Sequence, residues 1–180
     1  MHAWTRELLA HLESGREDLR AAVAETPVAA RERRPSPSAW SVAEVLSHLA
    51  RTEGQIAALL QKRSRPLLDD AASRPLAGEG SVAPRFDSAP VLDRGERLAA
   101  PAFAAPDPGA SLEQAVRKLE RARARLVDAV VAVDGLDASG VRQEHHVFGE
   151  LDLYQWVLFA GFHERRHTAQ LREVAAALRA

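Results

Sequence analysis

At 180 residues the chain has the length of one domain, and a core of that size forms without disulfides. Its 24 Lys and Arg against 25 Asp and Glu leave a net charge of −1, which excludes a strongly basic nucleic-acid binder. Cysteine is absent, which excludes a disulfide scaffold, a Cys-ligated zinc finger, an iron–sulfur site and a cysteine nucleophile.

Four segments carry a helical apolar period, and none alternates as a strand. The first runs from about Trp4 to Glu25, on a stripe of Leu8, Leu9, Leu12, Leu19 and Val23, with Pro27 just past its end. The second opens on a capping box, Ser41 to Glu44, behind Pro35, Pro37 and Trp40. Its stripe is Val42, Val45, Leu49, Ile56 and Leu59, and its expected end is near Lys62. Residues 63–110 are broken by Pro66, Pro75, Pro84, Pro90, Pro101, Pro106 and Pro108. Leu67, Leu68, Val82, Phe86, Val91, Leu92, Leu98 and Phe103 are spread through this insertion, so it is expected to pack on the body. The third helix opens with Ser111 to Gln114 and ends near Asp134-Gly135; the fourth runs from about Leu151 to Leu178. The expectation is one all-α domain over residues 1–180. It is a four-helix bundle with a long Pro-rich crossover between the second and third helices, which permits an order other than up-down-up-down.

The histidines stand out. A helix turns about 100° per residue, so with His163 at zero, His167 lies at about 40° and Gln170 at about −20°. Trp156, Ala160 and Val174 share that stripe. Two imidazoles thus occupy the middle of a core-packing face, with Cβ atoms about 5–6 Å apart, within reach of one metal ion. On the second helix His48 flanks the buried face beside Leu59, where it can be aimed at the pair. One core histidine is usually just a satisfied core residue, but two buried imidazoles need two sets of partners. Three histidines from two helices leave a coordination position open, as catalytic metal sites do. His2 and His11 read as surface residues. His145 and His146 fall in the loop before the last helix.

His163-Glu164-Arg165-Arg166-His167 matches the H-E-x-x-H pattern of zinc proteases. The context is wrong for one. The metzincin extension needs glycine at position 170 and histidine at 173, where the chain has Gln170 and Glu173. A gluzincin needs a third ligand well downstream, and few residues follow. Glu164, about 100° from His163, is expected to be solvated, as is Arg165. Arg166, at about −60°, is expected to edge a pocket or pair with a carboxylate.

WSVAEVLSHLARTE (Trp40 to Glu53), the Pro-rich insertion and HHVFGELDLYQWVLFAGFHERRHTAQL (His145 to Leu171) together resemble the DinB-like, or YfiT-like, family. The resemblance implies a four-helix bundle holding a divalent metal on three histidines. By motif these are His48 in the SHL step and His163 and His167 in HERRH, with Gln170 at the glutamine that commonly follows. The family pattern often has proline after His145; here His146 stands there. Characterised relatives are thiol-dependent transferases and isomerases that use low-molecular-weight thiols such as bacillithiol or mycothiol.

Imidazole suits several metals, with zinc and nickel the first candidates. A metal on three neutral imidazoles lowers the pKa of bound water or thiol. With no cysteine in the chain, a thiol nucleophile has to come from a cosubstrate. The expected function is therefore a metal-dependent thiol transferase. The alternatives are a non-enzymatic metal- or ligand-binding helical domain and a metal-hydroxide hydrolase. Gln170, Asp152, Glu53 and His145 are the candidates for supporting the ligands from behind. The expected partners are a small-molecule substrate, a thiol and a second copy forming a homodimer, with no nucleic acid and no membrane. No apolar run reaches the ~18–20 residues of a span, and the charged N-terminus is unlike a signal peptide, so the expected location is the cytoplasm.

Overall fold

The four long helices begin where the sequence supplies caps. In a computed structural model describing residues 1–70, 73–77, 80–95 and 100–179, α1 (Ala3–Ala24) is capped by the His2 ring, which accepts from the Trp4 amide at 3.2 Å. α2 (Val42–Asp69) opens on the complete box. Glu44 N–H donates to Ser41 Oγ at 3.2 Å and Ser41 N–H donates to Glu44 Oε2 at 2.9 Å. α2 does not stop near Lys62. It runs through Pro66 because Leu60, Ser64 and Leu67 continue the inward-facing stripe at i, i+4 and i+7. α3 (Ala89–Leu92) is a single turn inside the crossover, and α4 (Leu112–Ala132) starts at Ser111, whose Oγ accepts from the Gln114 amide.

The expectation of no strand is corrected at one place. Residues 142–152 form an antiparallel hairpin, β1 (Arg142–His145) and β2 (Gly149–Asp152), with His145 opposite Gly149. Gly149, at φ 69°, makes the left-handed step that lets the chain reverse. β1 is buried only at His145 and β2 only at the adjacent Leu151 and Asp152, so no period of two marks them in the sequence. The hairpin delivers the chain into α5 (Leu153–Arg179) through a reciprocal cap, Asp152 N–H to Gln155 Oε1 at 2.8 Å and Gln155 N–H to Asp152 Oδ1 at 2.9 Å.

Contacts along the helices fix their directions. Trp4, His11 and Arg16 of α1 meet Tyr154, Leu158 and Glu164 of α5 in that order, so α1 and α5 are parallel. Glu53 and Gln61 of α2 meet Arg123 and Arg125 of α4, so these two are parallel as well. Across the pairs the sense reverses. Ile56 and Leu60 share one apolar cluster with Leu153, Trp156 and Ala160, whereas Val42, Val45 and Leu49 share the other with Leu171 and Val174. The order is up-down-down-up, which obliges the connection from α2 to α4 to travel the length of the bundle.

That connection climbs along α5. The Trp4 indole donates to Gly80 O at 3.1 Å, Arg85 pairs with Asp152, Phe86 packs among Phe148, Phe159 and Phe162, and Arg166 donates to Val91 O at 3.0 Å. It then crosses to α2, where Asp107 bonds the Ser47 hydroxyl and pairs with Arg51 and Lys118. Val82, Phe86, Val91 and Ala104 are buried, and Leu68, Leu92 and Phe103 are exposed. Leu98 lies outside the described residues. Among the described residues, no helix is long and apolar enough to cross a membrane.

Candidate metal centre

His48 from α2 and His163 and His167 from α5 converge. Their ligand nitrogens all lie within 4.8 Å of one another. His163 Nε2 is 3.3 Å from His48 Nε2 and 3.2 Å from His167 Nε2. Two imidazole nitrogens on a tetrahedral metal at about 2.0–2.1 Å are separated by about 3.3–3.4 Å, so the observed spacing suits a shared ion.

Hydrogen placement sharpens this. The His48 Nδ1 is 2.6 Å from Ala104 O, and a carbonyl only accepts, so Nδ1 carries the hydrogen. His167 Nδ1 donates to Gln170 Oε1 at 2.7 Å. In neutral rings both Nε2 atoms are then bare lone pairs, and His163 can offer a hydrogen to only one of them. All three rings are held neutral. Burial lowers His163 well below its ordinary value, aided by His167 and His48. Burial first, then His48, pushes His167 down to about 3. Burial lowers His48 against the opposing pull of Ala104. Trp40, 5.1 Å from the His48 ring and stacked 6.4 Å from His167, covers one side, and Phe159 packs 5.4 Å from His163. Ala104, a backbone acceptor donated by the crossover, had no signature in the sequence.

The remaining candidates divide. Gln170 supports His167 directly, through the bond to its Nδ1. Asp152 is engaged away from the cluster, capping α5 and pairing with Arg85. His145 lines the same pocket as the three histidines, packed 4.6 Å from Phe159. Glu53 lies beneath the cluster but is taken up by Arg16 at 2.9 Å and by Arg123.

Glu53 belongs to a second polar cluster that overturns the reading of Glu164. Glu164 is not solvated; it is 1% exposed. It accepts from Arg16 at 2.8 Å and from Arg123 at 3.0 Å. Arg16, Glu53, Arg123 and Glu164 come one from each long helix and form a buried, charge-balanced quartet. α5 is packed on nearly every side by α1, α2 and the crossover, so an angle of about 100° from the histidines points into the bundle rather than out. The sequence does carry a signal for the quartet. Arg16, Glu53 and Arg123 each stand four residues after a leucine (Leu12, Leu49, Leu119) and three before Leu19, Ile56 or Leu126. This quartet also removes Glu164 from any role as a protease base. His11 is corrected too. It is not on the surface but contacts Leu158 O at 3.1 Å and fills the space over Gly161, where a Cβ would overlap its ring. Arg165 is half-buried and lies over the Phe162 ring, while Arg166 edges the pocket.

The cluster opens on a pocket of about 860 Å3, floored by the three histidines and walled by Trp40, Gln55, Phe103, Phe148, Trp156 and Phe159. His163 keeps partial exposure there, and Gln55 holds the Phe103 carbonyl at 3.0 Å. A volume of this size accommodates a ligand.

Comparison with known proteins agrees with this architecture. The DinB superfamily model matches residues 11–171, and the chain belongs to that superfamily. It is 31% identical over 143 residues to the uncharacterized protein YuaE of Bacillus subtilis (strain 168), covering 78% of this chain and 80% of that one. The crystal structure of TT2238, a four-helix bundle protein, superposes with a TM-score of 0.61 at 25% identity, covering 94% of this chain and 98% of that one.

Proposed function

We propose that this chain is a divalent-metal-dependent transferase, with zinc or nickel held by His48, His163 and His167 and a low-molecular-weight thiol as the nucleophilic cosubstrate. One observation carries the metal assignment. Three imidazole Nε2 atoms meet at 3.2–3.3 Å contacts while Ala104 and Gln170 draw the hydrogens of two rings to the far side. At most one of these contacts can hold a hydrogen, and the facing lone pairs left over call for a cation. A bound divalent ion supplies a nucleophile near neutral pH by lowering the pKa of a thiol or of water. The chain's own groups do the rest. Ala104 O and Gln170 orient two rings, burial keeps the histidines in the unprotonated form that ligates, and Trp40 and Phe159 keep bulk water from two sides. The pocket leaves room beside the cluster for a second reactant. Because the chain has no cysteine, the sulfur must arrive from outside.

The test is metal analysis of purified protein, followed by conjugation of 2-mercaptoethanol to chlorodinitrobenzene. The expected result is stoichiometric metal and thiol-dependent turnover that chelator or His163→Ala abolishes. Protein that neither retains nor binds zinc or nickel overturns the metal assignment. Metal with thiol-independent cleavage of p-nitrophenyl acetate replaces transfer by hydrolysis, and metal with neither turnover leaves a binding domain.

A further inference from the structure

His145, at the end of β1, is the buried polar group of the pocket that the metal reading does not use. Its exposure is 7%. Its Nδ1 faces the hairpin turn and accepts two backbone bonds, from Val147 N–H at 3.1 Å and Phe148 N–H at 3.3 Å. A nitrogen that accepts carries no hydrogen, so the single hydrogen of the neutral ring is on Nε2. Nε2 has no protein partner among the described residues, although the ring lines the pocket beside the three histidines. Four rings cage it. His146 stacks at 4.5 Å, Phe159 and Phe148 sit at 4.6 and 4.9 Å, and Trp156 at 5.2 Å. The plane is fixed, and the donor is presented to the pocket without a competing acceptor. Nε2 is not among the enclosed polar atoms that lack a partner, so it opens on the pocket, where water or a ligand oxygen meets it.

We propose that His145 Nε2–H is a ligand-recognition donor, binding a carbonyl or other oxygen acceptor of the molecule held beside the three-histidine cluster. The proposal rests on that cluster holding a metal, and it adds the chemistry of the ligand: a metal-binding atom and, separated from it, an oxygen acceptor. Burial first, and the neighbouring His146 second, push the His145 pKa down to about 4. The ring therefore stays neutral across the physiological range, and its donor neither gains a charge nor changes nitrogen. A donor of fixed tautomer selects oxygen acceptors over apolar groups of the same shape, because only the acceptor satisfies it.

The test uses two thiol probes on the cobalt-loaded protein, read from the cobalt absorption spectrum: 3-mercaptopropionamide, which carries a carbonyl oxygen, and butanethiol, which does not. The wild type is expected to bind the amide about tenfold more tightly than the alkane. In His145→Phe that ratio falls to about one, with cobalt affinity and butanethiol affinity unchanged. His145→Gln, which keeps an N–H near the Nε2 position, restores part of the ratio. If His145→Phe does not fold, His145→Asn takes its place, since its Oδ1 still accepts from the turn amides while its shorter amide withdraws the N–H from the Nε2 position. An unchanged ratio in the donor-less variant overturns the proposal. A loss of cobalt affinity in that variant overturns it differently, by making His145 a ligand. If the wild type binds no cobalt, the metal reading fails by itself. The long-range imidazole 15N spectrum of His145 then decides the donor alone: an Nδ1–H tautomer at pH 7 overturns it.

Discussion

One turn of α5, from His163 to His167, supplies both polar clusters inside the bundle, and the two differ in what they lack. The quartet of Arg16, Glu53, Arg123 and Glu164 sets two cations against two carboxylates and balances its own charge. The histidine cluster, on the neighbouring face, brings together three neutral rings whose facing nitrogens are short of hydrogen. Buried charge that is complete makes a framework; buried lone pairs that are incomplete make a receptor. The two clusters should therefore respond oppositely to mutation and to metal.

The largest effect is expected from breaking the quartet. Glu164→Gln removes half of the negative charge and leaves Arg16 and Arg123 sharing Glu53. Removing one partner of a buried ionic group costs about 3–5 kcal/mol. The urea midpoint of the metal-free protein reads this. A loss below about 1 kcal/mol would mean that the quartet is not desolvated enough to govern stability. The contrast sharpens with metal present, since a variant that still folds keeps a metal-dependent rise in melting temperature.

Metal is the second lever, and on the proposed function it is expected to act on the other cluster alone. At a free metal concentration a hundredfold above Kd the native state gains about 2.7 kcal/mol, a rise of about 5–10 °C for a chain of this size. His163→Ala should lose that rise while retaining its helical circular dichroism, because two apolar clusters hold the four helices together without the imidazoles. A metal-stripped wild type that is unfolded would instead make the site a structural one. An undiminished rise in His163→Ala would remove this residue from the ligand set.

How much of this contrast the sequence shows depends on which residues make it. The histidine cluster is legible because its geometry is local. His163, His167 and Gln170 lie on one helical stripe, and His48 flanks the stripe of another. The helices themselves are legible for the same reason, from caps at Ser41 and Ser111 and from the 3.6-residue period. The quartet is harder, because Glu164 is polar at an angle that in a less enclosed helix faces water. Only the recurrence of a charge between leucines in three helices hints that the interior is polar there. The hairpin is illegible, since its strands are four residues each and their burial does not alternate. The Ala104 carbonyl carries no side-chain signature and is placed only by the fold of the crossover.

Acid should act next, through the buried imidazoles of the pocket. His167 is held down to about 3 and His145 to about 4, whereas in the unfolded chain both take up protons near pH 6.5. A folded-state pKa below the unfolded value means that the unfolded chain binds more protons in between. Stability is therefore highest above the unfolded value and falls as pH drops below about 6.5. By pH 5 each such ring costs up to about 2 kcal/mol. Urea midpoints of the metal-free protein at pH 7 and pH 5 measure the sum. Stability that is flat across this interval would show that burial does not hold the rings neutral, and their affinity for metal would then need another cause.

The smallest effect concerns what stands behind one ligand. Gln170 Oε1 takes the Nδ1 hydrogen of His167, which commits that ring to ligating through Nε2 and raises its basicity. Its counterpart behind His48 is a backbone carbonyl and cannot be deleted by substitution, so among the described residues Gln170 is where this support can be removed without touching a candidate ligand. Gln170→Leu fills similar volume but accepts nothing. Both tautomers of His167 then become available, and the ring is free to turn. Loss of such a partner typically costs 10–100-fold in metal affinity, and the low end, about tenfold, is expected because the two other ligands still hold the ion. The melting temperature without metal should hardly move, since Gln170 is only half-buried. Gln170→Glu gives the opposite sign, because a carboxylate accepts the same hydrogen more strongly and makes the ring a better ligand. Zinc titrations that ranked Leu equal to Gln would show that His167 needs no orienting partner. A weaker Glu variant would show that the hydrogen lies on the other nitrogen.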